Sequence, residues 1–134
     1  MRTSAILAAA MLLIAAAPQS ASAGDRSETV KFAPGTSSAM KRGSVKGYDT
    51  VTYRLKASAG QVMQVLFSPS NRFCYFTARA PGEDGLAFDG TMSGNEFSAN
   101  LDASGAYVFD VFLMRNAARR EETCKYTISF EVTG

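Results

Sequence analysis

Three arginines fall within six positions near the C-terminus, in the run Arg115 to Thr123 (RNAARREET). If Asn116 to Arg120 makes one helical turn, Arg115 and Arg119 stand four apart and project side by side. Guanidiniums so placed repel slightly unless an anion lies between them. Two such forks can hold a carboxylate through paired, charge-assisted bonds. Asn116, between the two, and Arg120, next after them, could add to the grip. The plainer reading is a solvated loop in which Arg119 or Arg120 pairs with Glu121 or Glu122, a surface bridge of about 0 to 1 kcal/mol.

A second candidate is Tyr48, in Lys46-Gly47-Tyr48-Asp49. A tyrosine that follows Gly at the lip of a strand can stand in solvent, and exposed aromatics often anchor interfaces. Its parity is opposite to that of Tyr53 and Leu55, so the strand pattern does not require its burial. Lys46 lies beside it as a further cation. Glu83, Asp84, Asp89 and Glu96 could in principle supply a glycosidase-like carboxylate pair. They sit in turn-rich segments beside Gly, where solvated carboxylates are ordinary. Asp110 is the one charge inside an apolar strand, and it either meets a basic partner across the sheet or lies at an edge. Histidine is absent. That removes Ser-His-Asp and Cys-His nucleophiles, the usual zinc sites and an imidazole pH switch, so no metal, no cofactor and no enzymatic activity are expected.

These residues need strands to position them. Gly105 to Met114 (GAYVFDVFLM) is almost wholly apolar and reads as a central core strand. Cys124 to Val132 alternates strictly, with Cys124, Tyr126, Ile128, Phe130 and Val132 on one face, the pattern of a strand with one buried side. The two are expected to form a hairpin with the arginine run as its long loop, since a stiff base with a solvated tip suits binding residues. Asp49 to Ala57 and Gln61 to Ser68 alternate as cleanly, and read as a second hairpin with Gly60 at its corner. Glu28 to Phe32, Gly43 to Lys46 and Phe73 to Arg79 add strands, and Leu86 to Leu101 two more around a turn. Seven to nine short strands with Gly, Pro, Ser and Asn punctuation predict an all-β fold, a single-domain antiparallel β-sandwich or jelly roll.

The first residues lie outside that fold. Arg2, the apolar run Ala5 to Ala17 and Ala21-Ser22-Ala23 have the three parts of a cleaved signal peptide over 1–23. The apolar run is too short to span a membrane, which takes about 20 residues. The domain then covers 24–134, or 134 − 23 = 111 residues, exported to the periplasm without membrane insertion. Losing Arg2 leaves 13 − 12 = +1 of net charge, which speaks against nucleic acid and places any electrostatic function in local clusters. Cys74 and Cys124 both fall on apolar faces. In an oxidising compartment they are expected to bridge, closing a loop worth about 4 kcal/mol in the chain-entropy model. The alternative is two buried free thiols.

Several runs together carry a family resemblance. Gly35-Thr36-Ser37-Ser38-Ala39, Gly43 to Asp49 (GSVKGYD), Thr52-Tyr53, Ala59-Gly60-Gln61, Ser104 to Tyr107 (SGAY) and Arg115 to Arg119 (RNAAR) resemble, in order and spacing, the periplasmic inhibitors of goose-type (g-type) lysozyme. The glycine-punctuated segment around Ala59-Gly60-Gln61 is also similar to β-sandwich domains at the C-termini of secreted peptidases. The first resemblance implies a β-sandwich that binds a g-type lysozyme as its protein partner and inserts a basic loop into the acidic cleft. It also implies that Tyr48, Arg115 and Arg119 make the contact. The competing expectation is a module that binds cell-envelope glycans or anionic polymers with the same arginines, although the absence of Trp removes the usual sugar-stacking platform.

Overall fold

The computed structural model describes residues 24–134, and the expected leader lies outside them. Nine strands and two single-turn helices follow in the order β1 (Arg26–Thr29), β2 (Ser38–Lys46), β3 (Val51–Ala57), β4 (Val62–Pro69), β5 (Cys74–Arg79), β6 (Phe88–Asp89), α1 (Gly90–Ser93), β7 (Glu96–Asn100), β8 (Gly105–Leu113), α2 (Arg115–Arg119) and β9 (Thr123–Thr133). They build a β-sandwich. One sheet has the order β1-β3-β8-β5-β6 and the other β2-β9-β4-β7. Every pairing is antiparallel except β1 with β3, which run parallel.

The period-two pattern is what holds the two sheets together. Tyr107, Phe109, Val111 and Leu113 of β8 point inward and meet Cys124, Tyr126, Ile128, Phe130 and Val132 of β9 across the core. Burial of such side chains contributes about 25 cal/mol per Å² of apolar area. Rings supply much of the contact: Phe109 packs edge-on to Phe130 at 5.1 Å between centroids, and Tyr53 lies 5.8 Å from Phe130. One polar pair sits among them, the Tyr53 and Tyr126 hydroxyls, 2.8 Å apart. Gly43 stands opposite Tyr126 in the β2–β9 register, and a Cβ there would overlap the Tyr126 ring. On the outward side of β8, Asp110 accepts from Thr52 Oγ1 at 2.6 Å and pairs with Arg79 at 3.2 Å. The charge in the apolar strand thus has a basic partner on the neighbouring strand.

Neither expected hairpin forms. β8 pairs with β3 and β5, whereas β9 pairs with β2 and β4, so the arginine run joins the two sheets. Likewise β3 and β4 belong to opposite sheets, and the turn at Gly60 is an arch over the end of the core. The reason is general. Alternation states which side of a strand is buried but not whether its successor lies beside it or across from it. A nine-residue connector fits the crossing, since packed sheets lie about 10 Å apart, twice the strand spacing. The other differences are local. β2 begins at Ser38, earlier than the expected Gly43, and the turn between β6 and β7 is the helical turn α1, capped by Asp89 through Thr91.

Cys74 and Cys124 form a disulfide, with Cα atoms 6.2 Å apart. It joins β5 of one sheet to β9 of the other, below the end that carries α2.

Candidate partner-binding site

One end of the sandwich gathers the β2–β3 turn, the β4–β5 turn and the connector between β8 and β9. At Lys46 the chain leaves β2, and the Asp49 amide donates to the Lys46 carbonyl at 3.1 Å. Asp49 Oδ2 in turn accepts from the Lys46 amide at 3.3 Å. Gly47 has φ +59° and Tyr48 a negative φ, the pattern of a type II′ turn. Glycine takes that conformation at no steric cost. The turn throws Tyr48 into solvent, 67% exposed.

The connector is fixed by its two alanines. Ala117 and Ala118 are buried, while Arg115, Asn116, Arg119 and Arg120 face out. Alanine is the best helix former and the smallest side chain that can plug the end of a core. Entry to α2 is set by the Met114 amide, which donates to the Phe73 carbonyl at 2.8 Å. Its exit is set by Glu121 at φ +54° and by bonds from the Glu121 and Glu122 amides to the Ala118 and Ala117 carbonyls.

Glu122 then ties the three segments together. Its carbonyl accepts from the Gly47 amide at 3.0 Å. Its carboxylate accepts from Asn71 Nδ2 at 2.9 Å and from Arg120 Nε at 2.6 Å. The Asn71 amide foremost, and then Arg120, hold the Glu122 carboxyl below its ordinary pKa. Arg120 also lies over the Phe73 ring at 5.7 Å, and Arg72 over the same ring at 4.7 Å. The plainer reading of the arginine run therefore holds for Arg120, which is committed to Glu122.

Arg115 and Arg119 make no such pair among the described residues, where the ion pairs are Lys41–Glu28, Arg79–Asp110 and Arg120–Glu122. Lys46 is in none of them either. Lys46, Tyr48 and Arg119 line one cleft of about 320 Å³, with Asp49, Ala118 and Glu121. Arg115, at the start of α2, is exposed on the same end but does not line that cleft. Asn116 spends its side-chain oxygen on the Ala117 amide at 2.9 Å. Sequence reasoning missed Asn71 and Phe73 as supports for the connector. Asn71 carries a signal of its own, since Asn in a turn often bonds nearby backbone, as Oδ1 does here with the Phe73 amide at 2.9 Å.

The chain as a whole has counterparts among known proteins. The inhibitor of g-type lysozyme from Escherichia coli K12 is 31% identical over 131 residues, which span 92% of this chain and 93% of that protein. The chain belongs to the family of g-type lysozyme inhibitors. Solved structures agree. The periplasmic g-type lysozyme inhibitor PliG of Aeromonas hydrophila superposes with a TM-score of 0.75 at 32% identity, covering 82% of this chain and 98% of that one. PliG of Salmonella Typhimurium gives 0.62 at 30%, covering 81% and 98%. A mutant of the Escherichia coli inhibitor gives 0.62 at 34%, covering 83% and 100%. No protein-family model matches the chain. Among the described residues, no helix is long and apolar enough to cross a membrane, and no three His, Cys, Asp or Glu side chains gather as metal ligands.

Proposed function

We propose that this member of the family is a periplasmic inhibitor of a g-type lysozyme, released from its leader after residue 23. It binds through the end of the sandwich formed by α2 and the 46–49 turn. The observation that carries the reading is the cleft where Lys46 and Arg119, two cations outside every ion pair among the described residues, flank an exposed Tyr48.

The chemistry is that of charge matching in a confined space. A muramidase cleft carries carboxylates, one of them the acid that protonates the leaving oxygen of the glycosidic bond. An arginine brought there on a rigid support pairs with such a carboxylate and occupies the volume that the sugar needs. Arg119 and Arg115 enter the enzyme cleft as that pair of guanidiniums, and Tyr48 packs beside them as the aromatic anchor. Because α2 and the 46–49 turn share Glu122 as a common tie, little ordering remains to be done on binding, which favours affinity. The inhibitor performs no chemistry itself.

The deciding experiment titrates the lytic activity of a g-type lysozyme with the mature protein, with a chicken-type enzyme alongside. Loss of g-type activity near an equimolar ratio, with the other enzyme spared, is the expected result. Full activity of both enzymes at excess inhibitor would overturn the reading.

A further inference from the structure

A second concavity lies away from the α2 cleft, on the outward side of the four-stranded sheet. Its polar lining is Arg42, Ser44, Ser68, Ser70, Lys125 and Thr127, set among apolar surface that includes Pro69 and Tyr126, over a volume of about 680 Å³. β9 runs along its floor between β2 and β4. In the register of the sheet Thr127 is flanked by Arg42 and Ser68, and Lys125 by Ser44. Ser70 closes that row by exchanging bonds with Lys125, its amide to the Lys125 carbonyl at 2.7 Å and its Oγ accepting from the Lys125 amide at 2.9 Å.

Three properties of the groove point to a ligand class. Its two cations, Arg42 and Lys125, are diagonal neighbours across β2 and β9, so they repel unless an anion lies between them. No carboxylate lines the groove, and neither cation belongs to an ion pair among the described residues. The side chains of Ser44, Ser68 and Thr127 spend no hydrogen bond within the described chain, and so present free hydroxyls on both walls and the floor. The backbone beneath is saturated, because β9 is paired on both sides. An extended peptide would therefore gain no main-chain bonds there, unlike a strand added to a sheet edge.

We propose that this groove binds an oligosaccharide that carries carboxylate groups. The carboxylate sits between Arg42 and Lys125, and the sugar hydroxyls exchange bonds with Ser44, Ser68 and Thr127. Charge and hydroxyl pairing replace the aromatic platform that many sugar sites use. The groove is separate from the cleft of Tyr48 and Arg119, so the proposal stands whether or not a lysozyme binds there.

The test is an NMR titration of the 15N-labelled mature protein with an oligogalacturonate tetrasaccharide, with chitotetraose as the uncharged control and sodium sulfate as the simple anion. The expected result is saturable shifts at residues 42–44, 68–70 and 125–127 with the oligogalacturonate, and much weaker ones with the other two. Arg42→Ala and Lys125→Ala, both at exposed positions, should each weaken binding about tenfold. Arg119→Ala should leave it unchanged. Silence at the groove, shifts confined to residues 46–49 and 118–121, or equal response to sulfate or chitotetraose would each overturn the assignment.

Discussion

The Gly47 amide donates to the Glu122 carbonyl at 3.0 Å, which joins the turn that presents Tyr48 to the connector that presents Arg119. Two segments 75 positions apart (122 − 47) thereby behave as one surface. On the proposed function, the positions at this end divide into those that would touch the lysozyme and those that hold the others in place, and the two kinds should fail differently when substituted.

Contact residues should fail in affinity alone. Arg119→Ala and Tyr48→Ala should each weaken lysozyme inhibition by about 2 kcal/mol or more, roughly thirtyfold, with the melting temperature preserved. Arg115→Ala should weaken it too, being on the same end. Inhibition titrations on the purified variants measure this. Wild-type inhibition by both arginine variants would remove α2 from the inhibitory surface.

Gly47 is a support. Its φ of +59° is open to glycine, and a side chain there costs about 1 kcal/mol or more from the backbone alone. Space is not the difficulty, since an added Cβ would come no nearer than 3.6 Å to the Ala118 carbonyl oxygen. Gly47→Ala should lower stability by about that amount in urea unfolding, and should weaken inhibition by tilting Tyr48.

Acid should loosen the same end. The folded-state pKa of Glu122 lies below its ordinary 4.5, so its contribution is present above that value. It is lost as pH falls through the folded-state pKa, when protonation frees Asn71 and Arg120. Thermal unfolding between about pH 3 and 6 should show stability falling with acid, and Glu122→Gln should flatten that dependence.

The buried tyrosine pair predicts a non-additive cycle. Tyr126→Phe or Tyr53→Phe leaves one buried hydroxyl without its partner and should cost about 1 to 3 kcal/mol, whereas the double Phe variant should cost less than the two together. Burial foremost raises both phenol pKa values. The sign follows: their contribution is whole below about pH 10 and fades as pH rises beyond it. Alkaline denaturation should begin later in the double variant.

Replacing Cys74 and Cys124 with Ala should cost about 2 to 4 kcal/mol, read as a shift in the denaturant midpoint. Reduction of the wild type should reproduce the shift.

Most of the strands could be read from the sequence because each has one dry face, and a period of two survives any arrangement of neighbours. Asp49 to Ala57 is the clearest case: Val51, Tyr53 and Leu55 are all buried. The pairing could not be read, because a face directed at the core looks the same in an arch as in a hairpin. In the candidate site, Lys46, Tyr48 and Arg119 were recognisable by type, and the fold places them in one cleft. What separates Arg119 from Arg120 is not local. It depends on Asn71 and Phe73, some fifty residues away, which meet Glu122 and Arg120 only once the sheets have packed.

The place of β9 in its sheet bears on when the molecule can take shape. It lies between β2 and β4, which have no direct pairing with each other. Until the last strand arrives, β2 lacks any partner and β4 has only β7. The opposite sheet waits in the same way, since β8 separates β3 from β5. Topologies dominated by such distant pairings fold slowly, in milliseconds to seconds. A chain emerging N-terminus first across a membrane would keep both sheets open until nearly its whole length had crossed.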